Sequence, residues 1–295
     1  MGAVYVLAAV FLWSFVPLLI KGVLPVFSPE WIASLRLLMG GALLLPAALL
    51  GARSPGPRRL RALMVMGGLG VAGNYLLYTL AMRHTTASAG NVIVQVEVVF
   101  LVFLGVVVLR ESLGGMKLAG TLLALGGVLV VAWNGERLTE LVDSRYFLGN
   151  VTMLGAGLSW AWYGLAQKLV AEARPGASGA APMLLVGGAA AAVPAAWHPL
   201  LVGPASSGDW VSLLVLGFVS TGTAYLLLAR GFARLEASTA GMLTTMLPVM
   251  TMVEAHFWAG EALTAYLLVG AAAVVGGVVL ITISSRGNGR PVVEG

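Results

Sequence analysis

Apolar residues run along this chain in blocks of about twenty, broken by short polar stretches. A helix rises about 1.5 Å per residue, so roughly 20 mostly apolar residues are needed to cross a bilayer's hydrocarbon. Ten blocks meet that length: 4–24, 30–50, 61–82, 87–109, 114–133, 146–168, 181–198, 210–232, 238–259 and 264–284. The connections between them are short, so neighbouring helices are expected to run antiparallel. No linker is long enough to hold a soluble domain. The pattern predicts an all-α membrane protein with ten transmembrane helices.

A second pattern lies on top of the first. Shifted by 150 residues, the sequence matches itself without a gap. Tyr75-Leu76-Leu77 falls on Tyr225-Leu226-Leu227, Ala87-Ser88 on Ala237-Ser238, and Glu111-Ser112-Leu113 on Glu261-Ala262-Leu263. Gly120, Gly126 and Gly127 fall on Gly270, Gly276 and Gly277. A weaker match at offset 147 puts Trp13 on Trp160 and Lys21 on Lys168. Each half holds five spans, an odd number, so the second half is expected upside down relative to the first. The expected organisation is a first repeat over 1–135, a second over 146–285 and a loose tail over 286–295. Inverted repeats are typical of secondary transporters, whose substrate site lies near the midplane between the halves.

Composition agrees with a membrane setting. Hydrophobic residues make up 59% of the chain and charged residues 10%, against about 25% charged in soluble domains. The placement of charge is more informative than the net value. With the N-terminus on the cytoplasmic side, twelve Lys and Arg fall in inside segments: Arg53, Arg58, Arg59, Arg61, Arg110, Lys117, Lys168, Arg174, Arg230, Arg234, Arg286 and Arg290. Only Lys21, Arg83, Arg137 and Arg145 fall outside. The positive-inside bias therefore predicts both termini in the cytoplasm. The start, MGAVYVLAAVFLW, has no basic n-region, so the first block is expected to remain as a span.

Several chemistries are excluded. Without Cys there is no disulfide, thiol nucleophile or thiolate metal site. His84, His198 and His256 lack ligand spacing. No Ser–His pairing or His–Asp cluster suggests an enzyme, no Walker A motif suggests ATP use, and no cofactor or nucleic-acid partner is expected. Gly68-Leu69-Gly70-Val71-Ala72-Gly73 fits G-x-G-x-x-G but sits inside a span with no strand before it, so it reads as a close-packing site. The glycines of the fifth and tenth blocks read the same way. Met242, Met246 and Met250 read as packing or lipid contact. Glu111 and Glu261 open short loops and read as caps or charge balance for the helix that follows each.

Ionisable groups inside a membrane are costly and tend to be functional. Glu97 sits near the middle of the fourth block. It is suited to hold a proton, a coupling ion or a cationic substrate; the competing reading is a structural acid. At about 100° per residue, Asn91 and Gln95 share one helix face and Glu97 looks elsewhere. Arg36 lies a third of the way into the second block. It is either a charge partner for Glu97 or a substrate carboxylate, or a residue that snorkels to the outer interface. Trp31, Trp133, Trp197, Trp210 and Trp258 lie near span ends, where aromatic belts form. Trp13, Trp160 and Trp162 lie near midplane, and Trp13 and Trp160 are candidates for the wall of a central cavity. Polar stripes at helical spacing add Asn74, Tyr75 and Tyr78; Ser159, Tyr163 and Gln167; Thr221 and Tyr225; and Gly241, Thr244, Thr245, Pro248 and Thr251. Such stripes face a cavity or bind helices together. The candidate substrate-binding set is Trp13, Asn74, Tyr75, Tyr78, Gln95, Trp160, Tyr163, Thr221, Tyr225 and Thr244.

The segments LWSFVPLLIKG, ASLRLLMGGALLL, the stretch 87–113 from AS to RESL and the stretch 237–263 from AS to GEAL resemble the two EamA domains of the drug/metabolite transporter superfamily. The resemblance covers nearly the whole chain. It implies export of an amino acid, nucleotide sugar, drug or other small organic metabolite across the inner membrane; the aromatic residues favour an amino acid-like or amphipathic solute, and Glu97 offers proton coupling as one energy source. A monomer or homodimer in the bilayer is expected. The alternative class is a channel or non-transporting scaffold. Two departures stand out. Pro248 of the second half aligns with Val98, preceded by Glu97. The superfamily's small four-helix exporters use a Glu in their first helix, where this chain has Trp13-Ser14 and no carboxylate.

Overall fold

The computed structural model describes residues 2–51, 57–110, 113–134, 146–171, 173–232, 234, 243–244 and 246–287. Among them the chain is helical, with no strand beyond one isolated bridge between Phe27 and Leu201. The helices are α1 (Gly2–Ser14), α2 (Val16–Val23), α3 (Pro29–Gly51), α4 (Arg58–Ala81), α5 (Ala87–Ile93), α6 (Val96–Leu109), α7 (Gly115–Trp133), α8 (Phe147–Ala171), α9 (Ala177–Ala195), α10 (Ser207–Leu214), a π-helix (Val215–Thr223), α11 (Ala224–Phe232), α12 (Met246–Ala259) and α13 (Ala265–Gly287).

Eight stretches are long and apolar enough to cross a membrane: Gly2–Val23, Pro29–Leu50, Arg58–Ala81, Ala87–Val108, Gly115–Trp133, Ala177–Ala195, Ser207–Gly231 and Ala265–Ser284. Sequence patterning predicts ten. The two that fall short are α8 and α12. Helix α8 has the length but carries Asn150, Ser159, Gln167 and Lys168, and α12 has only 14 described residues. Large apolar side chains such as Leu49, Leu50, Val108 and Phe257 are exposed on the outer faces of the bundle, the arrangement that a hydrocarbon surrounding favours. Glu111, Gly241, Met242, Thr245, the loop cations Arg53, Arg137, Arg145 and Arg290, and residues 288–295 lie outside the described residues.

Three expected spans are not continuous α-helices, and all three irregularities have local causes. The first breaks at Phe15, next to Pro17, which has no N–H to give to the ladder. The fourth breaks at Val94–Gln95, where Gln95, Glu97 and Val98 bond carbonyls three residues back and tighten the turn. The eighth widens into the π-helix, where the Thr221 and Thr223 hydroxyls donate to carbonyls five residues back at 2.8 and 3.1 Å.

Glycine lets several helices approach closely. A Cβ added at Gly120 would lie 2.7 Å from the Gly277 carbonyl oxygen, and one at Gly277 would lie 2.5 Å from that of Gly120. Gly127 and Gly270 face each other in the same reciprocal way. Helices α7 and α13 therefore pack backbone to backbone and antiparallel, as small-residue seams in membranes do. The G-x-G-x-x-G stretch packs too: Gly68 abuts Val186 and Met183, Gly70 abuts Ser159, Trp162 and Tyr163, and Gly73 abuts Ser159. It is a helix contact and not a phosphate loop. Gly126 has open space around it, which makes a control. Gly127→Ala is expected to destabilise the protein by about 1–3 kcal/mol through overpacking, whereas Gly126→Ala leaves the melting temperature in detergent unchanged or raised.

Candidate functional site

The helices enclose a cavity of about 530 Å³, within the usual range for small-molecule sites. Its wall takes residues from α1, α3, α4, both sides of the α5–α6 break, α8, α11 and α12. Trp13, Arg36, Asn74, Tyr75, Tyr78, Gln95, Glu97, Trp160, Tyr163, Tyr225 and Thr244 all line it. Thr221 does not. It is fully buried, bonds within the π-helix and sets its methyl against Gly40.

One wall is aromatic. Trp13 meets Tyr225 edge-on with ring centroids 5.8 Å apart, and Trp160 lies 5.0 Å from Tyr163 and 6.5 Å from Tyr225. The two repeat-related tryptophans are thus joined through one tyrosine. Trp162, two positions on, is instead exposed on the outer surface. Helical rotation of about 200° over two residues puts it on the far side of α8.

Polar groups converge from the other direction. Asn91 carries the centre of a network: the Tyr78 hydroxyl donates to its Oδ1 at 2.8 Å, and its Nδ2 donates to Thr251 Oγ1. Thr251 donates in turn to the Ser14 carbonyl at 3.1 Å, and the Ser14 hydroxyl donates to Glu254 Oε1 at 2.7 Å. The network ties α4, α5, α12 and the end of α1 together beneath the cavity. The Asn74 amide donates to the Ala156 carbonyl at 2.9 Å and bridges α4 to α8.

The charged groups depart from expectation. Glu97 and Gln95 share the cavity, although regular helix geometry would turn them apart, because the chain breaks between Ile93 and Val96. The Glu97 carboxylate makes no hydrogen bond or ion pair with a described residue. Arg36 is only 4% exposed and does not snorkel to the surface. Its Cζ sits 4.5 Å above the Tyr75 ring, and no ion pair joins it to Glu97. Glu254 was not singled out by sequence patterning, yet it is buried, with Oε2 unpartnered. The rule that points to Glu97, an acid inside an apolar block, would have found it. Glu261 does not cap the helix that follows it. Its two oxygens accept from the backbone N–H groups of Ala87 and Ser88 at 2.7 and 3.0 Å, at the start of α5. Beside them Lys21 donates to the Met82 and Thr85 carbonyls. Among the described residues no cluster of His, Asp or Glu could hold a metal ion.

An all-helical membrane protein with an aromatic and polar cavity drawn from both ends of its sequence is the class that fold and site define. The profile of the EamA-like transporter family matches residues 1–133 and again 147–283, and the chain belongs to that family. It is 27% identical to the uncharacterized inner membrane transporter YhbE of Escherichia coli K12, over 97% of this chain and 92% of that one. It is 26% identical to a probable terminal-alkyne amino-acid exporter of Streptantibioticus cattleyicolor, over 84% of this chain and 82% of that one. A crystal structure at 21% identity shares the fold, with a TM-score of 0.67 over 97% of both chains.

Proposed function

We propose that this protein is a secondary transporter that exports a small organic metabolite, amino acid-like or amphipathic, across the inner membrane by alternating access. The observation that carries this reading is the cavity: both family-matched segments contribute to one wall that is aromatic on one side and polar on the other. That is the composition expected of a site for an amphipathic solute. The relative named as an amino-acid exporter lends weight to the cargo class.

The architecture behind the reading is ten spans in two inverted halves, 1–135 and 146–285, with α8 and α12 completing the count. The reciprocal glycine contacts support it. Gly120 meets Gly277 and Gly127 meets Gly270, and these residues are each other's counterparts at the 150-residue shift. A contact in which i meets j′ and j meets i′ is the mark of a two-fold relation. Both termini lie in the cytoplasm on the charge bias, and Glu97 carries the coupling proton. Protein reconstituted in proteoliposomes should show saturable exchange of internal for external solute. Flux that rises linearly with solute and shows no exchange would make it a channel instead.

A further inference from the structure

Arg36 is a buried cation that no described residue answers with an ion pair. Its Nε is sealed from solvent and has no partner, and the guanidinium makes no hydrogen bond or ion pair with a described residue. A charge taken out of water is costly unless it is paired, and the face of the Tyr75 ring beneath it compensates only in part. Glu97 lines the same cavity without pairing with it. Arg36 is therefore left with its binding capacity unspent inside the site.

The chemistry of the surroundings narrows what answers that charge. A guanidinium presents planar N–H donors in a fork that a carboxylate matches with two parallel bonds. The hydroxyls of Tyr163 and Tyr225 are buried, line the same cavity and, beside each other, form no hydrogen bond of good geometry with a described residue. They can add donors to an anionic oxygen. Tyr75, over which Arg36 sits, belongs to one packed cluster with Tyr163, Tyr225, Trp13 and Trp160. An anion on Arg36 thus lies beside a wall suited to a flat apolar group.

We propose that Arg36 is the recognition point for a carboxylate of the transported solute, with the solute's apolar body held against Trp13, Tyr225 and Trp160. The inference rests on the transporter reading and narrows its cargo to organic carboxylates, setting organic cations aside. The test uses three probes with one apolar body: 3-phenylpropionate, 3-phenylpropanamide and 3-phenylpropylamine. Thermal shifts of the detergent-purified full chain should give the carboxylate an apparent affinity at least about tenfold above the amide and the amine. Arg36→Gln should reduce the carboxylate to the level of the amide, and Arg36→Lys should fall between, since Lys keeps the charge without the fork. Equal or tighter binding of the amine or the amide by the native protein overturns the assignment, as does binding of none of the three or an unchanged carboxylate affinity in Arg36→Gln. Saturable proteoliposome exchange of the amine but not of the carboxylate would overturn the carboxylate while keeping the transporter. Carboxylate binding without any exchange would keep the site and remove transport.

Discussion

Glu97→Gln is expected to abolish proton-driven transport while leaving the protein in the membrane at its normal level. Gln keeps the size and polarity of the side chain but cannot take up or release a proton. Glu97 stands in the first turn of α6, just past the break at Val94–Gln95, and faces the cavity with a carboxylate that no described residue bonds. The change therefore removes no hydrogen bond or ion pair to a described residue, and the melting temperature separates a drop in flux from a folding effect. The measurement is flux into proteoliposomes under an imposed pH gradient, beside the melting temperature of the same preparation. Gradient-driven flux should fall to the protein-free background, and the melting temperature should stay within the scatter of the native protein. Unchanged flux with unchanged pH dependence would remove the proton-carrier role.

Trp13→Ala and Trp160→Ala should each weaken substrate binding by about 1.5 kcal/mol or more, roughly tenfold in affinity. Both rings line the cavity and meet through Tyr225, so each truncation removes wall area and loosens its neighbour. Trp31→Ala is the comparison. Its indole N–H donates to the His198 carbonyl at 3.1 Å, and it takes no part in the cavity. That variant should melt lower without losing affinity. Equal losses of affinity at all three positions would remove the reason for placing the substrate against the aromatic wall.

Much of this was legible in the sequence because membranes impose simple rules. Block length gave most of the spans, and the small residues gave Gly120 and Gly127 as close-packing positions without naming the helix they meet. The polar stripes gave several of the polar groups on the cavity wall, because side chains three or four apart share a face whatever lies opposite. What was not legible depends on partners far away in the chain. The placement of Glu97 beside Gln95 follows from a helix break whose flanking Asn91 is held by Thr251, 160 residues on. Thr221 has the right spacing from Tyr225, but the π-helix between Val215 and Thr223 alters the rotation per residue and turns its hydroxyl inward. Trp162 shares its depth with Trp160 and not its direction. The partner of Glu261 is a helix start 173 residues away by sequence, which no local capping rule can supply.

The grip of Glu261 on α5 bears on speed as well as on shape. The turn from α4 to α5 is held from two directions, its carbonyls by Lys21 and its amides by Glu261. In an alternating-access cycle, parting these elements means surrendering two hydrogen bonds to a carboxylate, each worth about 1.5–3 kcal/mol. If that loss falls before the barrier top, it slows the step by on the order of a hundredfold or more. The pace of the cycle would then be governed at the rim by a carboxylate that never touches the cargo.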